Sequence, residues 1–417
     1  MLLAQANDTL LILLVAVLIA LSILAKGALE KLNVPPLIGF LVLGFLLRLA
    51  DEQWQLLGEG GWIIDFLAHL GVMALLFHVG LGSNLKSLLR QLPCAGRLWI
   101  SDICISSFLG FSAAYWILGL SWITSVIVAI ALTATSVGVP VKIWQDKNAL
   151  QSANGERFID VAELDDISGV LLMAMLFAML PAFHGSGGEN VTFSMVAKIT
   201  LSFLISLLGY GLLCFIFAQY IEHRLANALQ RFESPPDRML VVVGTGFAIA
   251  ALAALLGFSV AIGAFFAGLA FSRDPHSVRI EASFNPLYEL FTPFFFINIG
   301  RGIDPSALSG AAGLGAVLLV AAVAGKFIAI TTPALAFTSL PAAATLGVSM
   351  IPRAEIAMLV MHRGLAHGPW AVSEKVYAGM VFVCALTCIG APLLLQNMLT
   401  RWPPSEGPYK NETEKKH

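Results

Sequence analysis

One apolar stretch of this chain, FIDVAELDDISGV, holds four acids: Asp160, Glu163, Asp165 and Asp166. An ionised carboxylate accepts hydrogen bonds and binds hard cations, and protonation removes both the charge and a ligand. Buried carboxylates can therefore take a proton or a metal cation in competition. Two basic residues stand in equally apolar surroundings. Lys326 lies in VAAVAGKFIAITTP, and Arg353 lies with Glu355 in SMIPRAEIAMLV. A buried lysine keeps its proton only if a carboxylate holds it, which pairs Lys326 with Asp165. Arg353 is permanently charged and suits bracing, which pairs it with Glu163. Neighbours on a helix point about 100° apart, so Asp165 and Asp166 do not both face one small ion. One takes a partner on another helix while the other faces a cavity. Glu163, three residues before Asp166, shares its side.

The elements that carry these residues follow from composition. Of 417 residues, 58% are hydrophobic and 12% are charged, against roughly 25% charged in a soluble domain. Mean hydropathy is +0.84. This excludes a soluble enzyme, a disordered chain and a nucleic-acid binder, and leaves an all-α polytopic membrane protein. The net charge of −2 points to no acidic or basic partner. The five cysteines lack disulfide or zinc spacing and read as small core residues.

A helix needs about 20 apolar residues to cross the hydrocarbon layer. Thirteen such runs can be drawn, at 9–28, 34–50, 62–81, 93–117, 121–140, 156–181, 193–220, 238–256, 258–272, 284–300, 312–334, 341–362 and 373–397. The eighth and ninth are divided only by a turn at Gly257 and Phe258. No two-residue alternation suggests barrel strands. No cleavable signal is expected, because MLLAQANDTL lacks a basic start. The loops after odd-numbered spans carry 17 Lys and Arg, against 5 on the other side. By the positive-inside rule the N-terminus is outside and the C-terminus cytoplasmic. The residues to about 400 then form the membrane domain, and 401–417 a polar cytoplasmic tail expected to be disordered. The sixth span enters from the cytoplasm near Glu156, which places Asp165 and Asp166 about 14–15 Å deep, near the midplane. Ionisable groups at that depth are costly and mark function.

Two spans carry helix breakers at the same depth. The fifth contains ALTATSVGVP and the twelfth GVSMIPRAE. Irregular backbone within a membrane is tolerated where it is buried in protein or lines a cavity. The fifth span of spans 1–6 matches the fifth of spans 8–13. This is the trace of two inverted six-helix repeats joined by span 7, and paired interruptions at matching positions point to a transporter's binding site.

These segments resemble the monovalent cation/proton antiporters, in the branch of bacterial sodium/proton exchangers and potassium-efflux systems. The resemblance rests on TATSVGVPVKIWQDKNALQS, ELDDISG, GFSVAIGAFFAGLAFS, PFFFINIG, GKFIA and IPRAEIAML, in that order. It implies the sodium/proton antiporter fold, with spans 1–3 and 8–10 as a dimer panel and spans 4–6 and 11–13 as a core moving elevator-fashion. It implies Asp166 as the main cation and proton ligand, Asp165 paired with Lys326, and a homodimer. Two-aspartate members are often electrogenic. Glu163 is an extra acid outside the family pattern. The large nucleotide-binding domain of potassium-efflux relatives is not expected to be attached, since the chain ends at His417.

The expected function is antiport of a monovalent cation, sodium favoured and potassium possible, against protons. Asp166 would bind either, with Asp165, the hydroxyls of Thr133 or Ser136 and freed backbone carbonyls around the cation. Lys326, Glu163, Arg353 and Glu355 would form the ion-pair and proton-coupling set. No cofactor is expected beyond the cation and protons, and the partners are these ions and membrane lipid in the cell inner membrane. Electroneutral potassium/proton efflux and a passive cation channel are the alternatives. An intramembrane aspartyl protease needs its acids on two facing helices, which adjacent residues do not provide. His69 and His78 read as packing residues, and the basic SRDPHSVRIEAS loop as cytoplasmic surface.

Overall fold

A computed structural model describes residues 2–31, 34–82, 85–136, 138–185, 193–217, 220, 238–255, 259–272 and 277–403. The turn at Gly257 and Phe258, the start of the SRDPHSVRIEAS loop and nearly all of the C-terminal tail lie outside the described residues. The described residues are helical, with no strand. In chain order the α-helices are α1 (Leu2–Lys31), α2 (Pro36–Trp54), α3 (Gly61–Gly82), α4 (Leu85–Ser112), α5 (Trp122–Ala131), α6 (Gly138–Asp146), α7 (Ala153–Gly185) and α8 (Phe193–Ile216). They continue with α9 (Arg238–Leu255), α10 (Val260–Phe271), α11 (Ser277–Arg301), α12 (Leu308–Ala334), α13 (Leu340–Ser349), α14 (Glu355–Ala366) and α15 (Glu374–Arg401). Among the described residues, seven helices are long and apolar enough to cross a membrane, including α3, α7, α8 and α15. Four shorter apolar helices include α5, α10 and α13.

The two stretches marked by breakers are each split into two short helices. Residues 132–137 separate α5 from α6, and Met350–Ala354 separate α13 from α14. Pro140 does not itself break the chain: it lies in the first turn of α6, where a missing N–H costs nothing. Pro352 stands in the extended segment between α13 and α14. Elsewhere serine side chains cap the starts of some helices. Ser121 accepts from the Thr124 amide at α5, and Ser373 from the Val376 amide at α15.

The chain forms two compact units. One comprises Met1–Ile19, Leu56–Ser87 and Val170–Asn298. Its interior is aromatic: Phe77 packs edge-on against Phe284 at 5.1 Å between ring centres, with Phe247 and Phe271 also around it. His78 stacks on Tyr288 at 4.5 Å, a packing contact. The Tyr210 hydroxyl donates to the Ile249 carbonyl at 3.1 Å. Cys214 is buried here.

The second unit comprises Ala20–Gln55, Leu88–Gly169 and Ile299–His417. It holds both broken segments, the four acids of α7, Lys326, Arg353 and Glu355. Its core includes Trp144 stacked on Phe158, with Leu346, Val348 and Leu395 around them. Cys384 and Cys388 are buried in it, but Cys104 is exposed, against the core expectation for the cysteines. Position 104 falls on the outward side of α4, the side opposite Asp102 and Ser106.

Candidate functional site

The site is built where the two broken segments meet. The Ser136 amide donates to the Pro352 carbonyl at 2.8 Å, so each interruption satisfies a backbone group that the other frees. The Thr135 hydroxyl lies 3.5 Å from the Met350 carbonyl and 2.6 Å from Asp165 Oδ2, to which it donates. Helix α7 runs alongside. Gly169 lets it approach closely, because a Cβ there would meet Ala134 and Ile356 at 3.3 Å.

Asp165 is 1% exposed, and its Oδ2 ion-pairs with Lys326 of α12. The pairing read from sequence is present. A second carboxylate shares the same ammonium: Asp102 of α4, fully buried, ion-pairs with Lys326 Nζ. Ser106 donates to the other oxygen of Asp102 at 3.0 Å. Asp102 is missing from the residues that the sequence singles out, although RLWISDICISS carries the usual signal of a single acid inside an apolar run.

Arg353 departs from its expected partner. Its NH1 donates to the Met350 carbonyl at 3.0 Å and lies 3.4 Å from the Pro352 carbonyl, so the guanidinium braces its own extended segment. Nε and NH2 are buried without a hydrogen-bond partner. No hydrogen bond or ion pair joins it to Glu163. The physical reason is placement. Arg353 lies in the non-helical stretch before α14, where freed carbonyls are its nearest acceptors. The Arg353 amide and carbonyl are themselves held by Thr387 and Cys388 of α15.

Asp166, one residue after Asp165, faces another way. It is half-buried and has no hydrogen-bond or ion-pair partner among the described residues. Its charged neighbours are Glu355, Asp165, Lys326 and Glu163. Glu355, the first residue of α14, is also half-buried and lies beside Ser136. Glu163 lies half-buried on the same side of α7, with Asp160 as its charged neighbour. Thr133 is buried, but its hydroxyl donates back to the Ile130 carbonyl at 2.8 Å; Thr135 is the threonine that reaches Asp165. Among the described residues, no group of three His, Cys, Asp or Glu has a geometry for a tightly held metal. The oxygens present are the carboxylates of Asp166 and Glu355, hydroxyls and carbonyls, a set suited to a weakly held hard cation.

A helical membrane protein with paired broken helices and an unpaired acid beside them belongs to the class of secondary transporters. Residues 14–401 match the family described as "Sodium/hydrogen exchanger, transmembrane", and the chain belongs to that family. It is 26% identical to the high-affinity Na(+)/H(+) antiporter NhaS3 of Synechocystis, over 91% of this chain and 88% of that one. It is 28% identical to the Na(+)/H(+)-K(+) antiporter GerN of Bacillus cereus, over 91% and 94%. It is also 28% identical to the K(+)/H(+) antiporter subunit KhtU of Bacillus subtilis, over 84% and 85%. The fold matches that of the sodium proton antiporter MjNhaP1 from Methanocaldococcus jannaschii, with a TM-score of 0.66 over 95% of this chain and 97% of that one, at 15% identity.

Proposed function

We propose that this protein is a multi-pass antiporter of the cell inner membrane that exchanges a monovalent cation for protons, with Asp166 binding either in turn. The observation that carries this reading is the contrast along α7: Asp165 is paired and closed off, while Asp166 is half-buried and unpaired. A dehydrated sodium ion would take the Asp166 carboxylate, the Ser136 and Thr133 hydroxyl oxygens, the free oxygen of Asp165 and carbonyls of the broken segments. Protonation of Asp166 removes a charge and a ligand, so the two bound states exclude each other. That exclusion couples the fluxes and requires no cofactor. Sodium is the favoured ion and potassium the runner-up, since the similar proteins include Na(+)/H(+), Na(+)/H(+)-K(+) and K(+)/H(+) antiporters.

In this reading thirteen crossings place the N-terminus outside and the C-terminus in the cytoplasm. Spans 4–6 and 11–13 move elevator-fashion against a dimer panel of spans 1–3 and 8–10. The test is Asp166→Asn in everted vesicles under an imposed pH gradient, with sodium, potassium and lithium added in turn. Cation-dependent dequenching of a pH dye is expected for the wild type and is lost in the variant. Persisting dequenching would remove Asp166 from the mechanism.

A further inference from the structure

The Lys326 ammonium has two buried counter-ions where one would balance it. Removing a carboxylate from water is costly, and an acid held only for packing would be replaced at little loss by an apolar residue. Asp102 is nonetheless held in place. Ser106 donates to its Oδ1 at 3.0 Å. Ser101, one residue before it, donates to the Ala329 carbonyl of α12 at 2.8 Å, and Trp99 to Ser168 of α7 at 3.2 Å. Gly325, beside Lys326, brings α12 against α4: a Cβ there would lie 3.3 Å from Ser106 Cα. On the other side of the ammonium, Asp165 uses only Oδ2, for Lys326 and Thr135. Its Oδ1 is buried and has no partner.

We propose that Asp102 is a positioning residue of the exchange site: it holds Lys326 from the α4 side, so that Asp165 can turn to the transported cation without leaving a bare buried ammonium. This rests on the antiporter reading above. In the structure Lys326 bridges both acids. When a cation draws on Asp165, whose Oδ1 is already free, Lys326 stays compensated by Asp102. Without Asp102, any engagement of Asp165 by the cation competes with its only hold on Lys326. Removal of Asp102 therefore weakens cation binding and leaves the Asp166 exchange step in place.

The experiment uses the full chain in proteoliposomes and measures initial proton flux against sodium concentration, with potassium and lithium in parallel. For Asp102→Asn the apparent KM for the cation is expected to rise about tenfold or more, with Vmax within about threefold of wild type. Asp102→Glu is expected to restore most of the KM. In a Lys326→Gln background, Asp102→Asn is expected to change KM by less than about twofold, because the residue acts through Lys326. A loss confined to Vmax or protein amount, or an equal KM effect with Lys326 absent, overturns the proposal. If Asp102→Asn does not accumulate in membranes, Ser106→Ala replaces it, with an expected KM rise of about two- to threefold; an unchanged KM overturns the proposal equally. A wild-type protein with no cation-dependent proton flux overturns the antiporter reading and this inference with it. Wild-type flux with unresponsive variants overturns this inference alone.

Discussion

Two groups of charges lie within a few residues of each other and are built on opposite principles. Asp102, Asp165, Lys326 and Arg353 are each 1% exposed or less. They carry two negative and two positive charges; Lys326 joins the two acids, while Arg353 is held by backbone carbonyls. Asp166, Glu163 and Glu355 are half-buried, all acidic, and ion-paired with nothing among the described residues. A neutral, closed group ties α4, α7, α12 and the α13–α14 break together. A negative, accessible group is left short of one cation. The difference shows how adjacent residues of one helix divide the work: Asp165 ties one oxygen into the scaffold and keeps one free, while Asp166 is left wholly to the ion.

The comparison breaks most readily at its closed half. Lys326→Met would leave Asp102 and Asp165 facing each other across an apolar side chain. Removing one partner from a buried ion pair costs about 3–5 kcal/mol, which should appear as a large fall in the thermal unfolding midpoint of the purified protein. An unchanged midpoint would mean that the closed group does not hold the helices together. A smaller effect is expected at the open half. Ser136→Ala removes a buried hydroxyl beside Glu355 but keeps the backbone bond to Pro352. Little change in stability is expected, and the consequence lies in a raised cation KM; a KM equal to wild type would remove Ser136 from the ion's surroundings.

The smallest effect is expected outside both groups. Asp304, half-buried in the loop before α12, is held below the ordinary carboxylate range by the neighbouring Glu374 carboxyl, which donates to it when protonated, and by the Ser306 amide, which donates to it at 2.8 Å. A depressed value means a contribution present at neutral pH and lost as the pH falls through the folded-state value. Asp304→Asn should therefore lower the unfolding midpoint slightly at pH 7, with the gap closing as the solution is acidified. A gap that widened on acidification would reverse the sign of this account.

Much of the site is legible in the amino-acid sequence. Asp165 and Asp166 stand out because apolar surroundings make an acid conspicuous, and a fixed rise per residue turns position into depth. The two interruptions stand out because Gly, Pro, Ser and Thr cluster at matching places. Asp102 does not stand out, because it is alone, without a neighbouring acid or a breaker. Depth and charge sign pair Arg353 with Glu163, but depth says nothing about direction around a helix. Thr133 and Thr135 are equivalent as letters in ALTATSVGVP. The turn of the chain after α5 sends one hydroxyl back to Ile130 and the other to Asp165.

The sequence by itself determined that the chain is a bundle of apolar helices, where two of them break, and which charges lie deep among them. These are local properties, set by side-chain solubility and helical rise. Only the tertiary structure decided who pairs with whom. Lys326 meets an acid 161 residues before it and another 224 residues before it. Those meetings depend on how α4, α7 and α12 are rotated and packed, which no single segment encodes.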